Sequence, residues 1–446
     1  MRRYLHLLTI FFFLIYFSGV ALALTLSNLP RDPDWLFNNE ISSAIPGWDR
    51  GYVKCEAPKG GYNKIVDNQK IIGSWGYKAK PIEEIKDLLP EPIYNVISHP
   101  EVWGTFRINE TRYEDAAPRG PMWEKWMKAS KRNIKNVTLS EKGWLKNYEN
   151  GIPFPVIDVK NDSQSALKII WNFHKRFQGD DRFVRMNFTT RNRRGSVKHH
   201  LLLNQRLRMN GRNHSTEPVY KPNPQNYDYL YAIQYLEPYQ LRGTFPLFYR
   251  YNDPDKGDDM WIYIPSIRRI RRMSTAQHQD RIPGGMDWTW DNGEGFEGNV
   301  THFNWSYIGR KVLLTPILAY SQPTWNQSKH GHLGGMDQYY QRRNCYVIKA
   351  SYKAPINMTE LILYIDPELY CCCWSYDLDL KGRIWIVQGI NNGRDKDWYY
   401  TMYNDWAFDV LVGHTTNALF AYSGNNEGFA PEYITIQNYK RMYLAR

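Results

Sequence analysis

From about Tyr227 onward the chain alternates apolar and polar residues with a period of two, and nothing else in the sequence constrains its fold so strongly. Successive side chains on a strand point to opposite faces, so this period predicts strands at 229–236, 244–251, 260–265, 312–318, 346–352, 361–365, 374–380 and 384–387. Asn252-Asp253-Pro254 and Lys381-Gly382 supply turn signals. Connections this short join antiparallel neighbours, and no alternation of strand and helix patterns supports a parallel sheet. The 15% aromatic content, mostly Tyr and Trp, suits extended structure. A meander of eight or more strands must twist and curl to bury its apolar face.

Two of these runs are apolar on both faces. Trp261 and Tyr263 oppose Ile262 and Ile264, and Ile384 and Ile386 oppose Trp385 and Val387. Such strands need cover on both sides. The clearest helix precedes them, with Ala166, Leu167, Ile170, Trp171, His174 and Phe177 forming an apolar stripe. Ser163 or Ser165 is its expected cap and Gly179 its expected stop. One helix is small cover for a large curled sheet, which leaves two arrangements open: an apolar cavity on the inner side, or a core filled by its own side chains.

Residues 24–150 read as an irregular wrap with short helices, one opening at Pro81 and one at Pro121 carrying Trp123, Trp126 and Met127. Ahead of them, Arg2 and Arg3, an apolar stretch at 7–17 and Ala21-Leu22-Ala23 have the order of a cleaved signal peptide, which implies export to the periplasm. The apolar stretch is short for a membrane span, which takes roughly 20 residues. The net charge of +12 favours solubility and contact with anionic surfaces, and export separates the chain from nucleic acid. Of the five cysteines, Cys371, Cys372 and Cys373 are consecutive and read as small buried hydrophobes, with a bridge from Cys345 to one of them as the alternative.

No enzyme signature stands out. His330 and His332 lack further ligands at a zinc spacing, His199-His200 reads as loop, and Asp366 and Glu368 flank Pro367 in a turn without the marks of an acid–base pair. Neither a nucleophile elbow nor a phosphate-binding loop is present. The arginine run is expected to place Arg268 and Arg272 on one face of a strand, around Ile270, and Arg269 and Arg271 on the other. It reads either as a basic rim holding lipid phosphates or an acidic partner, or as a solvated edge that blocks aggregation. Asp287, Asp291, Glu294 and Glu297 are its expected partners across a hairpin.

Gly151-Ile152-Pro153-Phe154-Pro155, Ile170-Trp171-Asn172-Phe173 and Arg176-Phe177-Gln178-Gly179-Asp180 follow one another in an order that resembles the exported bacterial family called domain of unknown function 1329, described as similar to the lipoprotein-sorting proteins LolA and LolB. Trp261-Ile262-Tyr263-Ile264-Pro265 with Arg268–Arg272, Asp287-Trp288-Thr289, Asn304-Trp305-Ser306-Tyr307, Tyr364-Ile365-Asp366 and Gly382-Arg383-Ile384-Trp385 continue the likeness from about Pro81 to the end. It departs near Tyr340–Cys345, where Arg342 and Arg343 are shifted. The resemblance implies a mainly β (α+β) fold, an open antiparallel half-barrel over 151–446 with helices covering its concave face. It further implies a non-enzymatic carrier of lipid or another hydrophobic molecule, taking no cofactor. Its partners would be an export pump of the resistance-nodulation-division type or an outer-membrane protein. The expected cavity residues are Trp171, Trp261, Ile262, Tyr263, Ile264, Trp305, Ile384, Trp385 and Ile386. A structural adaptor docking an envelope complex without a ligand is the competing function.

Overall fold

The computed structural model describes residues 65–67, 82–103, 107–110, 121–176, 178–253, 256–317, 324–325, 336–394, 400–425 and 430–444. The expected signal segment, Cys55, Phe177, His330 and His332 lie outside the described residues.

Thirteen strands form one antiparallel sheet: β1 (Asp181–Arg191), β2 (Val197–Arg208), β3 (Tyr227–Glu237), β4 (Phe245–Tyr251), β5 (Asp259–Ile264), β6 (Arg269–Met273), β7 (Phe303–Thr315), β8 (Met336–Tyr352), β9 (Met358–Ile365), β10 (Cys372–Asp379), β11 (Ile384–Arg394), β12 (Tyr400–Asp409) and β13 (His414–Asn425). Their spatial order is β7-β8-β9-β10-β11-β12-β13-β1-β2-β3-β4-β5-β6, so two sequence-local meanders join where β13 pairs with β1. β6 and β7 do not pair with each other, and the sheet stays an open half-barrel. Arg107–Glu110 adds a short parallel strand beside the start of β8.

Every predicted strand lies within or overlaps an observed one, but β1, β2, β12 and β13 were not predicted. Their burial alternates as a strand requires, with Val184, Met186, Phe188 and Thr190 buried and Arg185 and Asn187 exposed. The alternation of composition is masked because inward positions carry Arg182, Asn204, Arg206 and Asp405, all buried.

Both faces of the sheet are covered. The concave face receives α3 (Ser165–His174) and the turn-rich segment 274–302, which runs through three short helical turns. Ahead of α3 the chain forms α1 (Glu91–Ile97) and α2 (Pro121–Asn136), and near its end α4 (Ile436–Leu444). Phe408 lies one residue from Ala407 and so faces away from the cavity-side position Asp405; Trp103, just after α1, stacks on it at 5.2 Å. In the same way Phe245 and Leu247 alternate with the inward Phe248. Tyr439 of α4 stacks on Phe245 at 3.5 Å, heading a separate apolar cluster with Leu207, Leu230 and Tyr263.

The helix expectations need two corrections. α3 stops at His174 rather than Gly179, and Gln164 precedes it without a side-chain cap, so neither serine fills that role. The helix is held instead by burial of Ile169, Ile170 and Phe173 and by Trp171, whose Nε1–H donates to Gly143 O at 2.8 Å. Cys345, Cys371, Cys372 and Cys373 are buried, unbridged thiols.

Candidate functional site

Between the concave face and the 274–302 cover lies a cavity of about 100 Å³. Its walls come from β1–β4, β12 and β13 on one side and from His278, Ile282, Trp288, Trp290 and Glu294 on the other. The lining is graded along the strands. Phe188, Leu202 and Ile233, toward the end where β1 turns into β2 and β3 into β4, make it apolar together with Ile282 and Trp288. Asn204, Tyr229 and Arg250, further along the same strands, make it polar.

The polar end is a buried ionic lattice. Glu294 binds Arg182 at 2.6 Å and also binds Arg176; Arg206 donates to Glu297 at 3.1 Å, and Tyr229 OH donates to the same carboxylate at 2.8 Å. Arg250 grips Asp258 through Nε and Nη2, the latter at 2.6 Å. Burial alone would neutralise Glu294, yet the charges of Arg182 and Arg176 hold its carboxyl well below the usual range. Asp405 goes the other way: burial, reinforced by the nearby Glu294, pushes its carboxyl well above that range. His278 is raised; burial opposes this, but Asp291 at 3.1 Å and Asp258 outweigh it. Around these groups, Arg182 Nε and Nη1, Arg206 Nε and Nη1, and Asn204 Oδ1 are buried without a hydrogen-bond partner. Among the described residues no group of three or more His, Cys, Asp or Glu side chains is placed to hold a metal ion.

The cover is pinned to the sheet by its own short motif. Asp287 exchanges hydrogen bonds with Thr416 and accepts from His414 Nδ1 at 2.7 Å and Arg281 Nη1 at 2.6 Å. Trp288 Nε1–H donates to Gln388 at 2.9 Å, and Asn292 donates to the buried carboxyl of Asp377.

Residues 78–427 match a family described as a protein of unknown function, DUF1329. The chain belongs to that family. No curated protein matches it. Among solved structures it is similar to an outer membrane lipoprotein-sorting protein domain from Vibrio parahaemolyticus (13% identity, 63% of this chain and 100% of that one, TM-score 0.47). It is also similar to a DUF1329 family protein from Desulfovibrio piger (12%, 60% and 95%, 0.45) and a LolA superfamily protein from Nitrosomonas europaea (13%, 60% and 94%, 0.39).

In this DUF1329 protein none of the nine residues expected at the cavity lines the space described. Trp261 and Tyr263 sit beneath α4 on the convex face, so the second apolar face of that run is explained by helix cover. Ile262 and Ile264 are half-buried on the other side. Ile386 is fully buried in the core, with Ile384 and Trp385 packed at its margin; Trp385 Nε1–H donates to Asp409 at 2.9 Å. Trp171 packs edge-on against Trp144 at 4.7 Å, and Trp305 lies edge-on to Phe296 of the cover at 4.9 Å.

The arginine run is also rearranged. Arg268 is not on the strand; it takes a left-handed conformation (φ 50°) in the turn before β6, and only Arg269–Arg272 belong to the strand. Arg272 pairs with Asp259 at 2.7 Å, and Asp287, Asp291, Glu294 and Glu297 are all committed elsewhere, to Arg281, His278, Arg176 with Arg182, and Arg206. The expected pairing across a hairpin therefore does not form, because the acids belong to the cover and turn inward. Nor is the region of Tyr340–Cys345 idle: Arg343 is wholly buried and joins Asp366 at 2.6 Å and Glu368 at 2.9 Å, the turn acids whose part the sequence did not reveal.

Proposed function

We propose that this protein is a non-enzymatic binding protein for an amphiphilic or hydrophobic small molecule, handling lipid or lipoprotein transfer in the bacterial envelope. The observation that carries this reading is the graded cavity under a pinned cover, apolar at one end and lined by an ionic lattice at the other. Apolar walls with a few convergent polar groups are the usual makeup of a ligand pocket. The two buried guanidinium groups with unpaired N–H favour a ligand whose polar end accepts hydrogen bonds, a phosphate or carboxylate. On this reading the protein works in the periplasm, after cleavage of residues 1–23, and its partner is an export pump of the resistance-nodulation-division type or an outer-membrane protein.

The test is native mass spectrometry of gently purified protein, joined to displacement of a fluorescent fatty acid. Co-purified lipid and saturable displacement are expected. Ala418→Phe projects a ring into the cavity and should weaken binding by about tenfold, while Ile308→Phe, on the exposed β7 surface, should not. An empty protein with no displaceable probe would leave the structural adaptor as the function.

A further inference from the structure

The antiparallel register gathers one set of turns on a single rim. Tyr352 pairs with Phe303, Met358 with Asp379, Leu378 with Ile384, Asp409 with His414, Arg191 with Val197, and Ile264 with Arg269. Each pair marks the same end of the half-barrel, and β3 turns into β4 there as well. Six hairpin tips, at 192–196, 238–244, 265–268, 353–357, 380–383 and 410–413, therefore stand side by side, with neighbouring strands about 5 Å apart.

These tips carry an unusual surface. Of the twelve large hydrophobic residues exposed among the described residues, seven are here, led by Tyr239 at 82% and Val412 at 58% exposure. Leu411 stands beside Val412, Leu380 and Ile267 crown two further tips, and Ile356 and Val197 complete the set. Cations alternate with them. Residues 192–198, 237–244, 265–269, 353–357, 379–383 and 410–413 together hold nine Lys and Arg against two carboxylates, Glu237 and Asp379. The opposite rim differs: its 366–371 turn is buried, and among the described residues none of the exposed large hydrophobics lies there or on 209–226.

Single exposed hydrophobics need no explanation, but a row of apolar tips interleaved with cations at one end of a molecule does. Apolar side chains that bury a few ångströms into the headgroup boundary, flanked by Lys and Arg, are the pattern of a surface that sits on an anionic bilayer. The cavity agrees with this polarity, since its apolar half lies toward the same rim. We infer that the hairpin-tip rim is a docking surface for anionic lipid bilayers. Arg268 and Arg269 then act as two of several headgroup contacts, while Arg271 and Arg272 belong to the edge strand behind them. This surface is independent of which molecule the cavity holds.

Vesicle co-flotation tests it, using the purified protein with phosphatidylcholine vesicles and with phosphatidylcholine–phosphatidylglycerol vesicles. Binding only to the anionic vesicles, weakened by salt, is expected. Arg193→Ala and Arg268→Ala should each lower partitioning about fivefold, and Leu411→Asp with Val412→Asp should abolish it. All four positions are exposed, and an unchanged thermal midpoint verifies the fold of each variant. A Tyr239→Trp reporter should shift to the blue on the anionic vesicles. Binding indifferent to lipid charge and to the rim substitutions would overturn the inference. Failure to bind either vesicle would overturn it too, as would rim-dependent capture of an acidic protein without vesicle binding.

Discussion

Asp287 and Thr416 are bonded in both directions: the Asp287 N–H donates to Thr416 Oγ1 at 3.0 Å, and that hydroxyl donates back to Asp287 Oδ2 at 2.7 Å. The pair fastens the cavity's cover to β13 across 129 residues of sequence. Asp287→Ala would strip Arg281 and His414 of a buried partner as well. Hydrogen bonds to a charged group are worth about 1.5–3 kcal/mol each, so the variant should lose about 3 kcal/mol in a denaturant titration. Amide exchange over 275–300 should accelerate more than exchange in β7–β10. Uniform acceleration throughout the sheet would mean that the cover has no independent opening.

Asp377 makes stability fall with rising pH. Burial, helped by the nearby Asp291, raises its carboxyl to about 7 against the hydrogen bond from Asn292, which lowers it. The folded protein keeps this proton up to about pH 7, whereas the unfolded chain releases it near 4, so the folded state binds more protons between these values. Asp377→Asn keeps an acceptor for Asn292 and cannot ionise. Relative to the parent it should gain stability progressively from pH 4 to 7, reaching on the order of 4 kcal/mol. Chemical denaturation at a series of pH values checks this, and parallel curves for the two proteins would refute it.

Gly284 and Gly285 both have positive φ in the cover, at 100° and 76°, but only the first is crowded: a Cβ there would meet His200 Cε1 at 3.0 Å. Gly285→Ala should cost about 1 kcal/mol for its left-handed backbone, and Gly284→Ala about 1–2 kcal/mol more. Equal losses in thermal unfolding would show that the imidazole simply moves aside.

Arg343→Met would take from the buried Asp366 and Glu368 the guanidinium that both bind. Such removal of one partner costs about 3–5 kcal/mol. Adding Asp366→Asn and Glu368→Gln should recover part of the loss, since Asn at 366 still accepts from the Glu368 and Leu369 N–H groups, which lie 3.0 and 2.8 Å from Asp366 Oδ1. A triple variant no more stable than Arg343→Met would locate the cost in packing rather than charge.

The architecture was legible where inward positions are apolar. Strands such as β8 and β9 announce themselves through Ile348, Ala350, Leu361 and Leu363, all fully buried. It was illegible where the chain spends inward positions on the ionic lattice, because Arg182, Asn204 and Arg206 read as surface residues until Glu294 and Glu297 are brought beneath them. The nine residues expected at a cavity fall outside the space described for a related reason. Trp261 and Ile386 satisfy the demand for two covered faces, but periodicity does not say whether the cover is a helix such as α4 or empty space. The run Asp287-Trp288-Thr289-Trp290-Asp291, with acids and aromatics alternating outside any strand, was the signal that a segment turns both kinds of side chain inward.

The pairing of β13 with β1 also sets a schedule for synthesis. Arg182 waits for Asn425, and Arg191 for Thr415, so a chain emerging from its first residue onward cannot seal the seam until more than two hundred residues have followed β1. Until then one flank of β1 is an open edge with exposed backbone N–H and C=O groups, the kind of template that recruits other chains. A chaperone that shields this flank would thus govern how much of the protein reaches its final form.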